Sequence, residues 1–177
     1  MAGWPQSSHA ISPKSTTGRA VDPTEPLKYT SVDENGCLAC HKVHSAPKRQ
    51  RLLRFEREED GCLNCHGGSV ASFNIAADIG KHSAHNGVRF RRVHDAAEDS
   101  LSMRRHVECV DCHNPHSVQH GAIGQVTGTF GTTVKGPTLN VAGVTTTGRD
   151  TVESDFLHEI CLKCHGDTLN QKRPRTQ

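Results

Sequence analysis

The sequence predicts a mostly irregular chain, with short α-helices wrapped around a core that its own side chains do not supply. Three observations carry that prediction. Of 177 residues only 33% are hydrophobic, and seven are Phe, Trp or Tyr, too few to fill the middle of a domain of this length. All eight cysteines fall into four CxxC pairs, 37/40, 62/65, 109/112 and 161/164. Pairs so regular, in a chain whose net charge is only +2, do not belong to a random coil. Core-poor proteins of this kind are held by groups other than apolar side chains.

The elements follow in order. Residues 1–36 are rich in Ser, Thr and Pro without apolar periodicity, and they read as an extended N-terminal arm in which His9 is the one chemically interesting residue. A first compact block, 37–66, opens with CLACHKVH and closes with CLNCHGG. The connector 67–108 carries His82, His85, His94 and His106. A second block, 109–165, opens with CVDCHNPH and closes with CLKCHGD, and a polar tail, 166–177, ends the chain. The two blocks repeat one plan, an internal duplication with a longer spacer in the second copy. That spacer includes a Gly/Thr/Val-rich insert, 117–150, in which VTGTFGTTV alternates like a strand. It allows a small β-hairpin, with a loose surface loop as the alternative. SDFLHEICLKCHG is the best helix, with Ser154 to cap it, Phe156, Leu157 and Ile160 on one face and Gly166 to end it. KRQRLLRFEREED has its bases first and its acids last, an order opposed to the helix dipole. A frayed helix or an extended solvated segment is expected there.

Each CxxC pair is followed at once by histidine: His41, His66, His113 and His165. On a helical turn, positions i, i+3 and i+4 share a face. Two thiols so placed can form thioethers to the two vinyl groups of a haem while the imidazole reaches the iron, which is the c-type haem attachment signature. Zinc, the main competitor for paired CxxC motifs, needs no following histidine. Disulfides within the motifs would leave all four histidines unexplained. The reading is therefore four covalently attached c-type haems, held by Cys37, Cys40, Cys62, Cys65, Cys109, Cys112, Cys161 and Cys164. At about 44 residues per haem, the macrocycles themselves form the missing core. Thioether attachment takes place outside the cytoplasmic membrane, so a periplasmic, extracellular or cell-surface location is expected. The start, MAGWPQSSHAISPKS, lacks the basic-then-apolar build of a signal peptide, so an export peptide is expected to have been cut off or left out. No stretch is long and apolar enough to span a bilayer. Eight propionates turn a chain of +2 into a holoprotein of roughly −6 when reduced. The Lys and Arg residues then balance propionates, and no nucleic-acid-binding motif accompanies them.

Each iron needs a sixth ligand. Methionine is nearly excluded, since only Met1 and Met103 exist, whereas nine histidines remain beyond the four in the motifs. Two imidazoles per iron give a lower potential than His/Met ligation and leave no open position for substrate. His44 and His116 each lie three residues past a motif histidine, too near to reach the opposite face of the same haem. They are expected to ligate a neighbouring iron, His44 at the haem of 62–66 and His116 at that of 161–165. The other two ligands are open among His9, His82, His85, His94, His106, His120 and His158.

CLACHKVH…GCLNCHGG and RHVECVDCHNPH resemble the doubled CxxCH multihaem cytochromes of metal-respiring and related bacteria and archaea, over about residues 36–166. The resemblance implies haem pairs in which the histidine after each opening motif ligates. It also implies ligands at the positions of His85, His94 and His106. Asn86 stands where the family usually has Pro, and His158 stands where an aromatic is common. On this basis His85 and His106 are the expected remaining ligands, with His94 and His9 in reserve. The function expected is respiratory electron transfer through bis-His low-spin haems, not catalysis. A multihaem reductase with one open-coordination haem is the alternative. Partners would be other redox proteins or copies of the chain itself in a cytochrome filament, with His9 bridging subunits.

Overall fold

A chain with so few apolar residues cannot sustain long elements. In the computed structural model of the protein none exceeds nine residues among those described, which are 3–17, 19, 27–47, 50–82, 85, 107–121, 124–127 and 131–166. In chain order these residues form helices α1 (Ser8–Ile11), α2 (Val32–Asn35), α3 (Glu58–His66), α4 (Ile75–Ile79) and α5 (Cys109–Cys112). Four two-residue strands follow, β1 (Val126–Thr127), β2 (Gly131–Thr132), β3 (Gly143–Val144) and β4 (Asp150–Thr151), and then α6 (Leu157–His165). Most of the rest is coil, as the composition leads one to expect. The chain divides into two compact units. One holds the described residues from 9 to 85 with 107–109, and the other holds 3–8 with those from 110 to 166.

In the first of these units, which carries the CLACH and CLNCH motifs, backbone pairing replaces a hydrophobic core. Thr16 N–H donates to the Thr30 carbonyl at 2.7 Å, Val32 N–H to Lys14 at 3.0 Å and Asp33 N–H to Ser12 at 3.0 Å. The stretch expected to be an extended arm is thus folded back on residues 30–33. Its Ser/Thr-rich composition hides this, because the bonds join main-chain groups that every residue has. Ser31 then caps α2, its hydroxyl accepting from Glu34 N–H, and Gly36, at φ +50, turns the chain into the one-turn 3-10 segment Gly36–Ala39 that carries the first motif.

KRQRLLRFEREED resolves into two parts at its change of sign. From Gln50 on, the basic half is not a regular helix: Arg51 and Leu52 have φ of +60 and +51. The acids Glu58, Glu59 and Asp60 form the first turn of α3, where negative charge complements the dipole. The order that opposes one helix across the run is the right order for a helix that begins at Glu58.

In the other unit the Gly/Thr/Val insert supplies what apolar core there is. Val141 and Val144 are 0% and 1% exposed, with Ala142 and Ile160 at 5%. Two antiparallel hairpins form. β1 pairs with β2 in the register Val126↔Thr132, and β3 with β4 in the register Val144↔Asp150. The first is the hairpin that VTGTFGTTV allows, and the second, closed by Gly148 at φ +79, goes beyond the sequence reading. β3 packs on α6 so closely that a Cβ on Gly143 would lie 2.9 Å from the Glu159 carbonyl carbon and overlap the Ser154 hydroxyl.

That contact corrects the expected cap. Ser154 is buried against Gly143, and its backbone N–H donates to the Val141 carbonyl at 2.8 Å. The N-cap of α6 is Phe156, and Glu159 closes the turn, its carboxylate accepting from Asp155 N–H at 2.7 Å and Phe156 N–H at 3.1 Å. Residues 3–8 complete this unit. Ser7 is fully buried, Ser8 N–H donates to the Val118 carbonyl at 2.7 Å, and Gly3 abuts the side chain of Ser117.

Candidate functional site

The motifs occupy two local settings, and the duplication shows in both. The closing motifs sit at the ends of the two nine-residue helices: α3 ends on Cys62, Cys65 and His66, and α6 ends on Cys161, Cys164 and His165. The opening motifs sit on single turns. Cys37 lies within the 3-10 segment Gly36–Ala39 and Cys40 caps its end, and His41 N–H reaches the Cys37 carbonyl at 2.9 Å. Cys109 and Cys112 begin and end α5, and His113 follows. In all four, the two cysteines are separated by about one turn of helical backbone, the spacing that places i and i+3 on a common face.

None of the eight cysteines is in a disulfide. Desolvation by the surrounding chain pushes the thiols of Cys40 and Cys112 up to about 11, and it raises Cys65 and Cys164 as well. Cys62 and Cys109 share a hydrogen bond that raises the first and lowers the second. Among the described residues no three cysteine or histidine ligand atoms converge within 4.8 Å. The one cluster of that kind is Glu58, Glu59 and Glu108.

The opening-motif histidines give the sharpest test of fit to haem. His41 Nδ1 lies 2.7 Å from the Arg51 carbonyl oxygen, and His113 Nδ1 lies 2.9 Å from that of Pro137. A carbonyl can only accept, so Nδ1 carries the proton and the Nε2 lone pair is left for a metal. This is the second contact that iron- and zinc-ligating histidines characteristically make. In both blocks the carbonyl comes from backbone bent through the left-handed region. Arg51 and Leu52 do this beside His41, and Gly136 and Asn140, each at φ +55, do it beside His113. Non-glycine residues held there mark sites where the surrounding structure overrides local preference. The bend near His41 is locked by Lys42 N–H to the Leu52 carbonyl at 2.7 Å and Arg54 N–H to Cys40 at 2.9 Å. The bend near His113 is locked by Asn114 Nδ2 to the Asn140 carbonyl at 3.0 Å and Asn140 Nδ2 to Ser117 Oγ at 3.1 Å.

Within the second block the motifs are also tied to each other. Lys163, between the two cysteines of CLKCH, is 3% exposed and donates to the backbone carbonyl of Asp111, between those of CVDCH. Burial lowers its pKa from the usual lysine value, with the Asp111 carboxylate opposing that shift.

The expected distal ligands are placed unequally. His44 and His85 are exposed, as are His82 and His120. His116 is half-buried with its ring 6.0 Å from that of Trp4, and His158 stacks on Phe156 at 5.5 Å. His94 and His106 lie outside the described residues. His9, a reserve, lies beside a motif histidine: its ring is 6.1 Å from that of His66, with the planes at 82°. What sequence reasoning missed are the two carbonyls, of Arg51 and Pro137, and the anchoring of residues 3–17. A peptide carbonyl carries no side-chain signal, so no pattern could have pointed to either.

Residues 30–71 match a family model described as a doubled CXXCH motif. No curated protein and no solved structure matches the chain significantly. The matched stretch spans the CLACH and CLNCH motifs, and it supports a multihaem c-type cytochrome with covalently bound haem. No helix among the described residues is long and apolar enough to cross a membrane.

Proposed function

We propose that the chain is a tetrahaem c-type cytochrome that carries electrons in respiration outside the cytoplasmic membrane. The observation that carries this is the repeated arrangement at His41 and His113. Each belongs to a CxxCH motif, and each has its Nδ1–H tied to a backbone carbonyl, with Nε2 directed to ligation. Bound haem supplies a one-electron iron couple whose potential the axial ligands set. The chain's part is to fix eight thiols on four helical turns, to hold the imidazoles of His41 and His113 in one tautomer, and to provide distal histidines that close the open coordination positions. With nine histidines beyond the motifs, every position can be closed, which favours a carrier over a reductase. His44, His116, His85 and His106 are the distal set from which this reading starts.

The reading does not depend on polymerisation. One of the two features that would support a filament was an unattached His9, and that residue lies against His66 of its own chain. The other, the edges of the short hairpins, is retained. The test is the intact mass of the exported, native protein, together with its near-infrared magnetic circular dichroism. Four haem increments and an all low-spin bis-His spectrum that does not change under carbon monoxide are expected. Fewer than four increments, or a high-spin haem that binds carbon monoxide, would overturn the proposal, and electron micrographs of the same sample separate filaments from single particles.

A further inference from the structure

We infer that His9 is the distal ligand of the iron held by His66. The inference rests on the tetrahaem reading and assigns a ligand within it.

Two imidazoles on opposite faces of one iron are each bonded through nitrogen at about 2 Å, and a ring centre lies roughly 1.2 Å beyond its nitrogen. The ring centres are then about 6.4 Å apart. His9 and His66 stand at 6.1 Å. An aromatic pair in simple edge contact also falls in this range, so the distance alone decides nothing. Three further observations do. First, His66 is a motif histidine whose partner across the iron has to come from elsewhere in the chain. Second, the backbone just past His9 is held within the same unit, where the Ser12 and Lys14 carbonyls accept from Asp33 and Val32 N–H at 3.0 Å. A ring carried on anchored backbone is placed, as a ligand must be. Third, His9 is far from His66 in sequence, so the chain has ample length to bring it to the opposite haem face. His44, exposed at the surface, is released by this assignment for another iron.

The planes, at 82°, add a signature. Perpendicular imidazoles leave the iron d orbitals nearly degenerate, so the oxidised low-spin haem has a strongly anisotropic electron paramagnetic resonance signal, whereas parallel planes give a more rhombic one.

The experiment uses the native holoprotein, diluted until it is monomeric, with variants His9→Ala, His9→Met and His44→Ala. Intact mass is measured on each to confirm haem content; loss of haems from the wild type itself would refute the tetrahaem reading and not this assignment alone. In His9→Ala, a quarter of the bis-His near-infrared intensity is expected to be lost, one haem becomes high-spin and binds carbon monoxide, and the anisotropic signal disappears. In His9→Met, one haem of four acquires a His/Met charge-transfer band and a raised potential, a readout that survives if the alanine variant fails to load. His44→Ala is expected to retain the anisotropic signal. The assignment is overturned if both His9 variants keep four bis-His haems. It is equally overturned if monomeric wild type has a high-spin haem that turns low-spin on assembly and that His9→Ala abolishes, since His9 would then serve a second copy.

Discussion

Replacing Gly143 with Ala adds one methyl group to β3 where it meets α6, the helix that presents Cys161, Cys164 and His165. Gly143 is not in the left-handed region, so alanine fits its backbone conformation, and the change should by itself stabilise the chain by about 0.4–1 kcal/mol through the unfolded state. The surroundings reverse the sign. The new Cβ would lie 2.9 Å from both the carbonyl carbon and oxygen of Glu159 and would overlap Ser154 Oγ. The hydroxyl can rotate; the Glu159 backbone cannot move without shifting α6. Overpacking of this kind costs about 1–3 kcal/mol, which leaves a net loss of about 1–2 kcal/mol and a fall in Tm of roughly 2–8 °C for a chain of this size. Thermal unfolding of the haem-loaded protein, followed by far-ultraviolet circular dichroism, reads it. Adding Ser154→Ala removes only the hydroxyl overlap, so the double variant should recover part of the loss and no more. A Gly143→Ala protein as stable as wild type, or complete rescue by Ser154→Ala, would refute the packing of β3 on α6.

Arg51→Gly should relieve the left-handed backbone while keeping its carbonyl on His41, and it should leave the haem potentials unchanged. Arg51→Pro cannot adopt φ +60. It should withdraw the carbonyl, weaken His41 as a donor and raise one potential in a redox titration. Asn140→Ala loses the bond to Ser117 and keeps a side chain at φ +55. It should cost roughly 2 kcal/mol, against about 1 kcal/mol for Asn140→Gly, as urea midpoints would show. Lys163 has its pKa lowered by burial, so its charged form is disfavoured by folding. Stability should rise as pH climbs through the lowered folded pKa toward the ordinary lysine value near 10.5, and the rise ends above that value, where the side chain is neutral in both states. Lys163→Met should flatten that rise in unfolding curves taken between pH 8 and 10.5.

The motifs and the sparse, coil-rich fold were legible because they follow from local rules: CxxCH on one turn, and too few apolar residues for long elements. α6 was legible too, apart from its cap. Ser154 has the right chemistry but is drawn into the contact with Gly143, so Glu159 closes the turn instead. The charge run was half legible. Reading it as one segment hid that its acids start α3. The insert was hardest, since Gly, Thr and Val suit a loop as well as a hairpin, and only burial of Val141 and Val144 against α6 separates them. The contacts of the N-terminal stretch were hidden for a related reason: its partners are main-chain groups, and His9 finds His66 across a separation that no periodicity encodes.

The two carbonyl contacts also differ in how far along the chain they reach. His41 meets a partner 10 residues away, whereas His113 meets one 24 residues away. Closing the longer loop costs about 0.8 kcal/mol more in chain entropy, and it requires the insert to have settled around Pro137. As the chain folds, the first block can therefore fix its opening histidine from local sequence alone, while the second must wait for its insert to fold. The duplication, symmetric in its motifs, is asymmetric in time: maturation should run from the first block to the second, and slow folding of the insert would show as protein loaded at one end only.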